Sequence, residues 1–154
     1  MSTYLHVLTV VHVIISLVAI VSGFVVVAGW VRGRSPRAWT PLFFWMTVAT
    51  SVTGFFFPFA GFTPAFGFGV ISLIVLWIAF IAPGKGWRKT YLISALFALY
   101  LNTFVLIVQS FLKIPALKAI APTQAEPPFA IAQTLLLVLF IVLGIGSVRR
   151  FRFA

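Results

Sequence analysis

Five long apolar stretches divide the chain, each bounded by proline, glycine or a short basic cluster. The first runs from about Tyr4 to Val31 and stops at Arg32, Gly33 and Arg34. As a helix it would be roughly 40 Å long, more than a ~30 Å hydrocarbon core requires, so it is expected to tilt or protrude. The second and third, about 40–57 and 65–82, are near the lower limit for a span and are joined by the proline-bounded turn at residues 57–64. They read as two short spans or as one re-entrant hairpin. Two spans are favoured, because an open turn at membrane depth would leave backbone groups unpaired. The fourth and fifth cover about 89–112 and 128–148, separated by the polar connection Lys113 to Pro128. The expected fold is an all-α, polytopic transmembrane bundle of about five helices in a single domain.

Composition supports lipid as the solvent. Of 154 residues, 62% are hydrophobic and 8% charged, against about 25% charged in an ordinary soluble domain. A soluble fold of this size could not hide that excess. The N-terminal stretch has no basic residue ahead of its apolar run, so it reads as a retained first span rather than a secretory signal.

The net charge of +10 arises from eleven Lys and Arg against one carboxylate, Glu126. These bases fall in clusters between apolar runs, without a basic face or a nucleic-acid motif, so membrane topology explains them better than a nucleic-acid partner. Five crossings place Arg32, Arg34, Arg37, Lys85, Arg88, Lys89, Arg149, Arg150 and Arg152 on one side and only Lys113 and Lys118 on the other. The first side is expected to be cytoplasmic, with the N-terminus outside and the C-terminus inside. A re-entrant hairpin would remove two crossings together and leave this orientation unchanged. Trp30, Trp39 and Trp87 beside the basic loops fit an interfacial belt on that side.

Candidate chemistry is sparse. The chain contains no cysteine, which excludes thiolate catalysis, thiol redox exchange and cysteine-ligated metal. Two histidines and one carboxylate lack metal-ligand spacing. His6 and His12 lie on one helix about 120° apart and cannot clamp one haem iron. No cofactor is expected. Asn102, Gln109 and Lys113 share a face of the fourth segment, and Asn102 near mid-membrane requires that face to look into the bundle. His12, Gln109 and Gln133, with Lys113 and Glu126 from the last loop, gather toward the external half. They either hold the helices in register or frame an outward-facing pocket for a lipid, quinone-like or other small ligand. Small residues such as Ser16, Ala19 and Gly23, and Thr47, Thr50, Ser51 and Gly54, read as helix-packing faces. An enzyme or redox component using His12 and Glu126 is the alternative function; an accessory subunit is a further form of the non-enzymatic reading.

The phrases Thr50-Ser51-Val52-Thr53-Gly54-Phe55-Phe56-Phe57-Pro58 and Ala121-Pro122-Thr123-Gln124-Ala125-Glu126-Pro127-Pro128-Phe129-Ala130-Ile131-Ala132-Gln133 resemble a group of small hypothetical bacterial inner-membrane proteins. The resemblance implies a multi-pass location in the bacterial inner membrane, with the lipid bilayer as partner, and a role for the loop around Glu126. It carries no activity and no site residues.

The orientation is open to direct measurement. In intact cells, a membrane-impermeant thiol reagent should label Ala125→Cys, whereas Phe153→Cys should react only after permeabilisation. The opposite labelling pattern would reverse the topology.

Overall fold

The computed structural model describes residues 2–153, and the chain folds into six α-helices. Helix α1 spans Thr3–Val31. Ser2 Oγ caps it by accepting from the Leu5 amide at 3.3 Å, and it ends in a turn through Gly33 at φ 73, a left-handed conformation that glycine adopts freely. Helix α2, Trp39–Gly54, starts with Pro41 inside its first turn. Helix α3, Pro64–Ile81, combines an N-cap from Thr63 with proline at its first position. A 3-10 turn at Pro83–Lys85 leads to α4, Arg88–Lys113; α5, Pro115–Ile120, is one short helix, and α6, Pro127–Arg150, closes the chain.

The second apolar stretch ends as a helix at Gly54 rather than near residue 57. Pro58 disfavours helical geometry at Phe57, and the chain leaves the helix a turn earlier. The connection between α4 and α6, expected to be a polar loop, contains α5. Among the described residues, four helical segments are long and apolar enough to cross a membrane: Thr3–Val31, Pro64–Lys85, Arg88–Lys113 and Pro127–Arg150. With 16 residues, α2 is about 24 Å long and falls short by itself.

Apolar side chains cover the outside. Along α6, Ile131, Leu135, Val138, Val142 and Ile145 are exposed, and along α1 so are Val7, Ile14 and Val21. Patches of this extent are compatible with hydrocarbon around the bundle and not with water.

Helix α4 is the axis of the bundle, touching α1, α2, α3 and α6. The closest pairing joins α1 to α2 through small residues: Ala19 and Gly23 on one, Thr47 and Ser51 on the other, are buried. A Cβ on Gly23 would lie 2.6 Å from Leu99 Cδ1 and 2.9 Å from the Phe43 ring. The absent side chain therefore lets α1, α2 and α4 meet.

One end of the bundle is knit tightly. Trp30, Tyr91 and Phe151 form an aromatic cluster, with ring centroids 5.4 Å apart for Trp30 and Tyr91 and 5.6 Å for Trp30 and Phe151. Arg88 Nη1 donates to the carbonyls of Val148 at 2.7 Å and Phe151 at 2.8 Å, satisfying the last turn of α6 with a charge that complements its helix dipole. The basic stretches after α1, before α4 and after α6 meet at this end. Trp30 is fully buried within this cluster, so it does not belong to the interfacial belt. Its ring fills the junction of α1, α4 and the C-terminal tail. Trp39, Trp45, Trp77 and Trp87 remain exposed.

The opposite end is looser. Only Leu8 is buried in the first half of α1, from Thr3 to Leu17. Tyr4 donates to the Phe56 carbonyl at 3.2 Å, bringing the turn after α2 to the start of α1.

Two substitutions test this packing. Gly23→Val should lower stability by about 1–3 kcal/mol through overpacking, and Arg88→Ala by about 1.5–3 kcal/mol through loss of a charged donor. Both should appear as reduced thermal midpoints in detergent. An unchanged midpoint in either would refute the corresponding contact.

Candidate ligand-binding cleft

In the loose half, α1 and α4 stand apart and leave a cleft of about 610 Å³, walled also by α2, α3 and the turn between them. The volume falls in the range typical of small-molecule sites, about 300–1,000 Å³. The aromatic contact of Trp30 with Tyr91 sets the level of its residues. His12 stands eighteen residues before Trp30 and Gln109 eighteen after Tyr91, so on antiparallel helices both lie roughly 27 Å from that contact. Ile20, Leu101 and Asn102 form the floor, and Lys113 stands one helical turn beyond Gln109 at the mouth.

Hydrogen-bond accounting divides the walls by chemistry. Thr53 Oγ1 lies 2.7 Å from the Ala49 carbonyl and 2.8 Å from His12 Nδ1. Thr53 Oγ1 thus bridges the α2 backbone and His12, whose Nδ1 donates or accepts according to the imidazole tautomer. The Phe57 ring meets the imidazole edge-on at 5.4 Å and fixes its plane. Thr9 and Ser16 donate to Leu5 and His12 carbonyls, each at 2.7 Å. Thr50 donates to Ser16 Oγ at 3.3 Å. The α1 wall thus presents acceptors whose own protons are already engaged.

The α4 wall differs. Ser110 donates to the Leu106 carbonyl at 2.7 Å, but Asn102 Nδ2 is buried without a hydrogen-bond partner. Exchanging the amide's oxygen and nitrogen would still leave one sealed polar atom unpaired, a cost of about 1–3 kcal/mol. Gln109 and Lys113 continue the same face toward the mouth.

Four of the six residues singled out in the sequence, His12, Asn102, Gln109 and Lys113, line this one cleft. Gln133 and Glu126 lie elsewhere. Gln133 Nε2 donates to the Phe104 carbonyl at 3.2 Å, tying α6 to α4, while its Oε1 is buried without a partner. Glu126 turns back onto its own loop. Its carboxylate accepts from Thr123 Oγ1 at 2.8 Å and from the amides of Thr123 at 3.3 Å and Ala125 at 3.1 Å. Gln124 adopts φ 61 and donates to the Val108 carbonyl at 2.9 Å, which docks the loop on α4. His12 and Glu126 are therefore not joined in one site. Missing from the sequence reading was the wall made by Phe55, Phe59, Phe66, Phe68 and Ser72. Its only sequence signal is the density of phenylalanines flanking the 57–64 turn, and Gly69 leaves room for the tip of the Phe55 ring, a Cβ there lying 3.0 Å from its Cζ.

No protein-family model, curated protein or solved structure matches the chain.

Loss of some hydration on its own would raise the Glu126 pKa. The hydrogen bonds from Thr123 and Ala125 together outweigh that effect and hold the carboxyl below the ordinary value of 4.5. The turn's stabilisation is therefore complete above the unfolded-state value and is lost as pH falls through the lower folded value. A ¹³Cδ titration of Glu126 in micelles should give a midpoint below 4.5, with the Thr123 and Ala125 amide shifts following it. A midpoint at or above that value would contradict the turn.

Proposed function

We propose that the chain is a non-enzymatic, five-span protein of the bacterial inner membrane that binds a small amphiphilic ligand in the cleft. Its N-terminus and cleft mouth lie outside and its C-terminus lies in the cytoplasm. The observation that carries the binding reading is a cleft of about 610 Å³ with Asn102 in its wall, an amide that makes no hydrogen bond through its buried Nδ2. A polar atom at that depth needs a partner, and aromatic and aliphatic side chains surround it with an apolar lining.

For the five crossings, support comes from the reach of α2. Near its start, the Phe44 ring stacks on Tyr91 at 5.9 Å, in the basic end. Beyond its last residue, Phe56 accepts from Tyr4 at the opposite end. Helix and following turn together match the height of α1, whereas a re-entrant hairpin would turn back midway. For the orientation, support comes from nine bases at the knit end and two at the other.

Native mass spectrometry and a density map of protein extracted with its own lipids should reveal a non-protein molecule bordered by His12, Asn102 and Gln109. A dry cleft with Asn102 packed against protein would overturn the reading. The variant Asn102→Leu should reduce occupancy while the helices stay assembled.

A further inference from the structure

Resting on that reading of the cleft, we infer that its ligand is a single-chain amphiphile with an acid head group, carboxylate or phosphate, held at the mouth by Lys113. Charge and donor placement both point to this class. Lys113 is the cation of the lining, and the chain's single carboxylate, Glu126, accepts from Thr123 and Ala125 instead of lining the cleft. The cleft therefore carries net positive charge at its opening, which draws an anionic head to the mouth.

The remaining groups agree with it. The Gln109 amide, one turn below Lys113 on the same helix face, supplies N–H donors suited to oxygen acceptors. Opposite them, the hydroxyls of Thr9 and Ser16 give their protons to helix carbonyls and offer no competing donor. An acid head therefore docks on the α4 wall, its anionic oxygens facing Lys113 and Gln109. A cationic head would face Lys113 with like charge. A plain alcohol would leave the ammonium without a counter-charge.

Below the head, Ile20, Leu101, Val105 and Phe68 surround a path for one hydrocarbon chain toward the floor.

The test uses the full chain in neutral maltoside detergent at pH 8, with hexadecanoate, hexadecyl phosphate, hexadecanol and hexadecyltrimethylammonium as probes, read by native mass spectrometry and calorimetry. Both acids should bind about tenfold more tightly than the alcohol, and the ammonium probe more weakly than either. Lys113→Gln should bring the acids to the alcohol's affinity without changing the alcohol's own. Val105→Trp, which fills the cleft, should weaken all of them. Equal binding of acids and alcohol, lost together in Val105→Trp, would overturn the acid-head inference while leaving the cleft reading in place. Binding indifferent to Val105→Trp would overturn the cleft reading itself. A preference between carboxylate and phosphate supports the inference either way, and distinguishes a free fatty acid from a phosphorylated lipid.

Discussion

Surrounded by hydrocarbon, a polar hydrogen must find its acceptor within the protein, and most of this architecture can be traced to how that is done. Thr9, Ser16, Ser22, Thr47, Ser51, Thr53, Thr103 and Ser110 all donate to the carbonyl four residues earlier on their own helix. Each hydroxyl is thereby self-sufficient as a donor, and its small side chain is free to sit at a helix contact without needing water. The α1–α2 pairing is built from such groups together with Ala19 and Gly23. His12 joins the same scheme through Thr53, whose hydroxyl oxygen lies 2.8 Å from its Nδ1.

Against that background, Asn102 is an exception with consequences. Its amide nitrogen finds no acceptor on its own helix or any other and stays unpaired in the wall of the cleft. Gln133 finds the Phe104 carbonyl with its amide nitrogen but leaves its oxygen unpaired. Ser147 Oγ is buried without a partner in the tight end. It is fully buried away from the cleft, whereas Asn102 is one of the residues that line it.

The two ends of the bundle divide the work accordingly. At the basic end, Trp30, Tyr91 and Phe151 fill the space between helices, and Arg88 closes the last turn of α6. Rigid there, the helices part at the other end, where the first half of α1 is supported mainly by α2. Amphiphile binding at the loose end is consistent with this distribution: a preformed floor, one wall of phenylalanines supplied by the turn and its flanking helices, and a cation at the rim.

Much of this was legible from residue order. Proline, glycine and basic clusters delimit the apolar runs because they interrupt helices or resist hydrocarbon, and the helix bounds fall within a few residues of them. The seven- and four-residue spacings of Asn102, Gln109 and Lys113 put them on one face by helix geometry alone. What residue order could not decide was which face of α6 and which side of the last loop meet that site. Gln133 is a turn into α6, but the rotation of α6 about its axis, set by Phe140 packing on Phe24 and Tyr100, aims it at Phe104 instead. Glu126 is claimed by its neighbours Thr123 and Ala125, a local competition that outweighs any distant partner. Trp30 looked interfacial by position and became core because three separate segments converge on it. Periodicity and hydropathy are properties of one helix and its solvent, so the sequence by itself determined the apolar helices and the faces their polar residues share; the gap between α1 and α4 is a property of how several helices lean on one another, and only the tertiary structure decided it.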